Sequence, residues 1–191
     1  MRIVLVEPQH PGNIGAVARA MANFGLTDLA MVNGCELADE SYARSKSGKP
    51  ILENSKRYNT IEEAIANCDI AIGTSGIKPE GDKRWFRAPE NVGRINEIIT
   101  EREKPALLFG RENYGLYRDE LALCEATITI PTNPEYPVLN LSHAVAIVLY
   151  EIKRKEKVKG PKKRKNVSND EFQRLVDRIM DLLEDLSLIH I

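Results

Sequence analysis

The sequence predicts an α/β fold in which a parallel sheet is covered by helices on both faces. Short, continuously apolar runs recur along the first 130 residues, and such runs are typical of parallel strands that are buried on both faces. Segments with helical periodicity separate the runs. Strands that alternate with helices assemble into parallel sheets, so the order of the segments predicts the fold class.

The first strand and helix are the most clearly marked elements. The run 2–6 (RIVLV) is predicted to be a buried strand, and a turn signal at 10–13 follows it. Asn13 is a suitable N-cap for the next helix, which Gly25 is expected to end. Four apolar residues recur at the spacing of one helical face, Val17, Ala20, Met21 and Phe24.

The remaining elements follow the same alternation. Further strands are predicted at 29–32, 70–73, 106–109 and 127–130. Helices are predicted over about 38–48, 61–67 and 90–103. Ligands of open parallel sheets bind outside the carboxyl ends of the strands. The loops expected to carry function are therefore 7–15, 73–89, 110–116 and 131–140.

The helix predicted at 140–153, with Asn140 as its N-cap, is apolar nearly all round. One side carries Leu141, Ala144, Val145, Val148, Leu149 and Ile152, and the other carries Ala146, Ile147 and Tyr150. A helix of this kind is buried on two faces. We therefore expect one face to pack on the sheet and the other on a second copy of the chain, which makes the protein a homodimer.

Charge is distributed unevenly along the chain. The net charge is −1, but residues 153–165 hold nine basic residues and one acidic residue, a net charge of +8. This basic linker (153–167) is either a solvated connection or a contact for a polyanion. Apolar residues then recur at helical spacing and predict a C-terminal helical segment (168–191). The rest of the chain (1–152) is the predicted core domain.

The composition argues against several classes of protein. The longest apolar run, 144–150, has seven residues, too few to span a bilayer. The apolar run near the amino terminus is too short for a secretory signal. A cytoplasmic protein without membrane contact is therefore expected. The three cysteines are far apart and the histidines lack ligand spacing, so neither a disulfide framework nor a metal site is expected.

Three segments next to predicted strands combine residues suited to binding and chemistry. In 13–19, Arg19 lies four residues after Gly15 and is expected to lean over it toward the strand ends; a surface arginine in a salt bridge is the alternative. In 109–116 (FGRENYGL), two glycines let backbone amides approach a ligand, although a plain glycine-capped turn has the same pattern. In 130–142 (IPTNPEYPVLNLS), three prolines stiffen a strand–helix connection.

Together these segments resemble the three motifs of the SPOUT methyltransferases. The patterns are N-x-G-x-x-x-R, FGRE-x-x-GL and IP-x-NPEYPVLNLS, in this order. They are most similar to the motifs of the TrmH family and, within it, of the TrmJ-type tRNA 2′-O-methyltransferases, and the resemblance covers about residues 1–152. It implies a C-terminal deep trefoil knot and a homodimer that binds S-adenosyl-L-methionine in the knot.

The resemblance also implies which residues form the site. The reacting residues would be Asn13, Arg19 and Glu112. The cofactor would be contacted by Thr74, Ser75, Gly76, Gly110, Ile130, Val138, Leu139 and Asn140. Many relatives have serine where this chain has Val138, so only a backbone contact is expected there. No role beyond RNA contact is assigned to Lys83, Arg84 and Arg87.

The expected reaction is in-line attack of a tRNA ribose 2′-hydroxyl on the sulfonium methyl carbon, which requires no metal. The family proposal makes Arg19 the general base, but a guanidinium holds its proton very tightly. We therefore expect Arg19, held by Asn13 and Glu112, to orient the hydroxyl and an adjacent RNA phosphate that helps accept the proton. The resemblance implies nucleotide 32 of the anticodon loop, cytidine with uridine as the alternative.

Two other functions stay open at this point. The same fold could methylate ribosomal RNA, or it could be retained in a non-catalytic RNA-binding dimer module. Cofactor binding separates the module from the enzymes, and analysis of the methylated RNA separates the two enzymes. The loop 76–89, with Trp85 and Phe86 among basic residues, is a candidate RNA contact. Alternatively, the two aromatic side chains belong to the hydrophobic core.

Overall fold

The chain divides into two units, residues 1–156 and residues 157–191. Among the residues that the structure describes, a parallel sheet of seven strands forms the centre of the first unit. The computed structural model describes residues 1–76, 88–154 and 168–185. Most of the basic linker and the last six residues lie outside the described residues. The same is true of most of the candidate RNA-contacting loop, including Lys83, Arg84, Trp85, Phe86 and Arg87.

The sheet and its helices confirm the predicted fold class. The strands are β1 (Arg2–Val6), β2 (Asp28–Val32), β3 (Lys56–Tyr58), β4 (Ile70–Ser75), β5 (Glu90–Asn91), β6 (Pro105–Phe109) and β7 (Ala126–Thr129). They lie in the order β3-β2-β1-β6-β4-β7-β5, and all neighbours are parallel. The helices of this unit are α1 (Pro11–Asn23), α2 (Asp39–Ser45), α3 (Lys49–Glu53), α4 (Ile61–Ile65), α5 (Ile95–Ile98), α6 (Arg118–Ala122) and α7 (Leu141–Lys153).

Strand β1 shows why the apolar runs became buried strands. All five of its residues are buried. Ile3 and Leu5 belong to a cluster that includes residues of α1 and α7, whereas Val4 and Val6 belong to a second cluster with residues of α4 and α6. Helices thus cover both faces of the sheet, so neither face of the strand can be polar.

The beginning of α1 differs from the prediction. The helix begins at Pro11, and its N-cap is His10, whose side chain makes no capping hydrogen bond. Proline is favoured in the first helical turn, where its missing N–H has no partner to lose. Asn13 is therefore inside the helix and not its N-cap. The predicted end is confirmed, because Gly25 follows the helix with φ 72°.

Two other helices were predicted too long. Residues 90–103 contain strand β5, a 3-10 turn (Val92–Arg94) and α5, which ends at Ile98. The Gly93 N–H donates to Asn91 Oδ1 at 2.8 Å, and such a local side-chain bond favours a turn over a regular helix. Residues 38–48 form α2 and then a 3-10 turn (Lys46–Gly48). Helices α3 and α6 and strand β3 were not predicted at all.

Helix α7 begins as predicted. Asn140 Oδ1 accepts a hydrogen bond from the Ser142 N–H at 3.0 Å, as an N-cap does. One side of the helix is buried in the core, and α7 packs beside α1. On its other side Tyr150 is 54% exposed and Ile147 is half-buried. Within one chain, α7 therefore has only one fully buried face.

The second unit contains the predicted C-terminal helix, α8 (Asn169–Asp185). Its apolar side is exposed, and the largest side chains there are Phe172, Leu175, Ile179 and Leu182. No helix in the described part of the chain is both long and apolar enough to cross a membrane.

The three cysteines are free thiols. Burial raises the pKa of Cys124 to about 12, so this thiol is protonated at neutral pH and is not a nucleophile. Within residues 1–76, 88–154 and 168–185, no group of three or more His, Cys, Asp or Glu side chains is placed to hold a metal ion.

Candidate cofactor and RNA site

A cavity of about 410 Å³ lies at the carboxyl ends of β4, β6 and β7. Small-molecule sites commonly have volumes of about 300–1,000 Å³. The cavity is lined by the end of β4, the turn after β6, the end of β7 and the connection into α7. The residues predicted to contact a cofactor that line it are Thr74, Ser75, Gly76, Gly110, Ile130, Val138 and Leu139. The fold thus brings distant segments of the sequence to one place.

The turn after β6 depends on two glycines. The backbone N–H groups of Arg111 and Gly115 each donate to the carbonyl oxygen of the other, at 3.1 and 2.8 Å. This pairing folds the chain so tightly that a Cβ on Gly110 would lie 2.0 Å from the carbonyl carbon of Gly115. Gly115 has φ 65°, a conformation that favours glycine. Both glycines are therefore needed for the shape of this cavity wall.

A buried arginine, Arg111, also holds this turn in place through its side chain. Arg111 is 6% exposed, and its guanidinium donates to Glu7 at 2.8 Å and to both carboxylate oxygens of Glu120 at 2.9 and 3.0 Å. The hydrogen bonds that Arg111 donates to Glu120 raise the pKa of Arg111, and together with the bond that it donates to Glu7 they outweigh the opposing effect of burial. This cluster was not predicted, because its only signal in the sequence is a charged residue shortly after each of two buried strands.

Glu112 occupies the amino terminus of α1. Its carboxylate accepts hydrogen bonds from the backbone N–H groups of Gln9 and His10, at 2.9 and 3.2 Å, and from Asn13 Nδ2 at 2.9 Å. Burial favours a raised pKa for Glu112, but these hydrogen bonds outweigh it and the pKa lies below its ordinary value. An ionised carboxylate from another part of the chain thus supplies the negative charge that a helix amino terminus favours.

Asn13 connects the three motif segments. Its Oδ1 accepts a hydrogen bond from Asn140 Nδ2 at 3.0 Å, while its Nδ2 donates to Glu112. Asn140, although predicted to contact a cofactor, does not line the cavity. Its side chain caps α7 and holds Asn13.

Arg19 is placed differently from the expectation. Arg19 was expected to lean over Gly15, but the backbone of α2 occupies that place: a Cβ on Gly15 would lie 2.1 Å from the carbonyl oxygen of Ser41. Arg19 is exposed and does not line the cavity. Its guanidinium makes no hydrogen bond or ion pair with any residue that the structure describes. Asn13 and Glu112 bind each other, so the expectation that they hold Arg19 is not met within one chain.

The charge of Glu112 predicts a specific pH dependence of stability. A carboxylate whose pKa is lower in the folded than in the unfolded chain stabilises the fold when the pH is above its pKa in the unfolded chain, about 4.3. This stabilisation is lost as the pH falls through its pKa in the folded chain. Glu112→Gln is therefore expected to lower the free energy of unfolding by about 1–3 kcal/mol at pH 7, and by much less at pH 3. Urea titrations at both pH values measure this difference.

Glu135→Gln is the matched control for this comparison. Glu135 is exposed, so its substitution is expected to leave the free energy of unfolding unchanged at both pH values. An equal loss of stability in Glu112→Gln at pH 7 and pH 3 would contradict the role of the ionised carboxylate.

The chain is similar to proteins of one family along most of its length. A model of the SpoU rRNA methylase family matches residues 1–150. The chain is 40% identical over 156 residues to the tRNA (cytidine-2′-O-)-methyltransferase TrmJ of Methanocaldococcus jannaschii, covering 81% of this chain and 67% of that protein. It is also 40% identical over 155 residues to the tRNA (cytidine/uridine-2′-O-)-methyltransferase TrmJ of Yersinia enterocolitica, covering 80% of this chain and 60% of that protein. The chain thus spans about 60–67% of these relatives.

Solved structures share the fold. TrmJ from Z. mobilis superposes with a TM-score of 0.73 at 30% identity, covering 100% of this chain and 82% of that one. The SpoU methyltransferase AviRb from Streptomyces viridochromogenes, in complex with the cofactor AdoMet, has a TM-score of 0.63 at 24% identity, covering 81% of this chain and 59% of that one. These findings confirm the family that the three motif segments predict: the chain belongs to the SpoU methylase family.

Proposed function

We propose that the chain is an S-adenosyl-L-methionine-dependent tRNA ribose 2′-O-methyltransferase that acts on nucleotide 32 of the anticodon loop, cytidine or uridine. The observation that carries the proposal is the cavity at the carboxyl ends of β4, β6 and β7. Two of the three motif segments, 109–116 and 130–142, line it, and the third is connected to it by the hydrogen bond between Asn13 and Glu112. The named activities of the TrmJ relatives support tRNA as the substrate and the ribose 2′-oxygen as the acceptor.

The lining of the cavity fits the proposed cofactor. Apolar side chains, among them Ile128, Ile130 and Leu139, offer a surface for an adenine ring. Gly110 has no side chain, so backbone groups of the turn can approach a ligand closely. The ionised Glu112 lines the same cavity and favours a cation such as a sulfonium. When bound, the cofactor supplies a methyl group that its positive sulfur already activates.

Glu112 and Asn13 act in this proposal as positioning residues. The Glu112 carboxylate already accepts three hydrogen bonds, and its lowered pKa makes it a poor proton acceptor. We assign it and Asn13 the task of holding the 110–116 turn against the amino terminus of α1.

Arg19 keeps the role of orienting the RNA. Its guanidinium is exposed and has no partner in the described part of the chain, so it can bind a phosphate and a ribose hydroxyl through two parallel hydrogen bonds. The proton of the hydroxyl passes to the adjacent phosphate or to water, because a guanidinium that remains charged cannot accept it.

The proposal includes the knot, the homodimer and the domain division. The side of α7 that carries Ile147 and Tyr150 is only partly buried in one chain, which supports the packing of a second copy of the chain against it. The end of α7 at Lys153 supports a methyltransferase domain over 1–152, with the linker (153–167) and the helical segment (168–191) after it. Action in the cytoplasm remains a prediction.

Isotope labelling tests the function directly. The full chain is incubated with labelled S-adenosyl-L-methionine and either tRNA or rRNA, and nuclease fragments are analysed by mass spectrometry. We expect one 2′-O-methyl group at nucleotide 32 of tRNA. Methylation of rRNA alone would replace the proposal with the rRNA alternative. An absence of methylation together with an absence of cofactor binding in calorimetry would identify a non-catalytic module.

A further inference from the structure

Two tyrosines at the rim of the cavity have no role in the site described so far. Tyr114 is 72% exposed and Tyr117 is 47% exposed, and both line the cavity. Exposed aromatic rings next to a ligand cavity commonly mark a binding surface, because they keep a large apolar area in contact with water.

Tyr117 is held rigidly on one face. The guanidinium carbon of Arg111 lies 3.9 Å from the centre of its ring, and Arg111 is fixed by Glu7 and Glu120. The backbone N–H of Tyr117 also donates to Glu120 at 2.6 Å. A ring fixed in this way loses little conformational freedom when a ligand binds its other face.

The chemistry of such a ring favours a planar heterocycle. Proteins that bind single-stranded RNA stack its bases on aromatic side chains. The interior of the cavity, with Ile130 and Leu139, already offers an apolar place for the adenine of a cofactor. The exposed rings of Tyr114 and Tyr117 stand at the mouth, where a macromolecular substrate arrives.

We propose that Tyr117, with Tyr114 beside it, is a stacking platform for an unpaired RNA base next to the nucleotide whose ribose is methylated. The proposal rests on the proposed function, since it places the RNA substrate at this cavity. It adds a contact that selects RNA with an unstacked loop over a regular duplex.

An RNA-binding measurement that needs no methyl transfer tests the platform. The probe is an anticodon stem-loop with 2-aminopurine in the loop, whose fluorescence is quenched when the base stacks. Tyr117→Leu and Tyr114→Leu are each expected to raise the Kd of the full chain for this RNA about 5- to 100-fold and to reduce the quenching. Tyr117→Phe is expected to retain both, because the ring remains.

Controls separate stacking from folding and from cofactor binding. Tyr42→Leu removes a tyrosine that is 38% exposed on α2 and does not line the cavity, and it should bind the RNA like the unchanged chain. Calorimetry should show the same affinity for S-adenosyl-L-methionine in all four variants. An unchanged Kd for RNA in both leucine variants, or a loss of cofactor affinity instead, would overturn the platform. If the unchanged chain binds the RNA and quenches the 2-aminopurine fluorescence but never methylates the RNA, only the proposed function is overturned.

Discussion

Arg19→Ala is expected to lower kcat for tRNA methylation on the order of 10²- to 10³-fold, the loss that follows removal of one group that orients or stabilises reacting atoms. The affinity for S-adenosyl-L-methionine and the free energy of unfolding should remain unchanged, because Arg19 is exposed, does not line the cavity and has no partner in the described part of the chain. Single-turnover kinetics, calorimetry and urea titration measure the three quantities.

Arg19→Lys tests whether catalysis requires the planar guanidinium or only its positive charge. Lysine keeps the charge but cannot form two parallel hydrogen bonds, so we expect at least a tenfold loss of kcat. Near-full turnover of this variant would show that charge alone is sufficient and would contradict the orienting role. Arg102→Ala, at another exposed arginine, is the control for a general loss of positive charge.

The strands that the sequence predicts and those that it misses differ in burial. Strand β6 is completely buried, and its apolar run identified it. In β3 the first two residues are exposed and the third is half-buried, and β5 has only two residues. Edge strands of this kind carry no continuous apolar run, and only pairing with a neighbour defines them.

In the site, too, the local features could be predicted from the sequence and the long-range contacts could not. The glycines of the 110–116 turn are a local pattern and were predicted. The contact between Glu7 and Arg111 depends on β1 lying beside β6 with Leu5 opposite Phe109, because each charged residue lies two positions beyond its member of this pair. Neither the strand order nor this register can be read from the sequence.

The misplacement of Asn13 has the same origin. Its residue type suits an N-cap, and nothing nearby indicates that a carboxylate from a distant turn would fill that place. Glu112, which is 99 residues away along the chain from Asn13, provides the hydrogen-bond acceptor for the backbone at the start of α1. Both residues could be identified from their motifs, but the hydrogen bond between them could not be predicted from the sequence.

Gly110→Ala is expected to have the largest effect on the cavity itself. The added methyl group would lie 2.0 Å from the carbonyl carbon of Gly115 and 2.3 Å from the Leu116 nitrogen, and backbone atoms cannot rotate away as a side chain can. Relieving the overlap must open the Arg111–Gly115 pairing. We expect a loss of about 1–3 kcal/mol in the free energy of unfolding, the usual range for overpacking, and at least a tenfold loss of affinity for S-adenosyl-L-methionine.

Gly25→Ala is the matched control, because it separates backbone strain from damage to the cavity. Gly25 has φ 72° but open space around its Cβ position, and an alanine there should cost about 1 kcal/mol of stability with cofactor affinity unchanged. If Gly110→Ala lost no more stability than Gly25→Ala and bound the cofactor normally, the turn would be able to open without consequence. The cavity wall, and with it the position of Glu112 at α1, would then not depend on the tight pairing of Arg111 with Gly115.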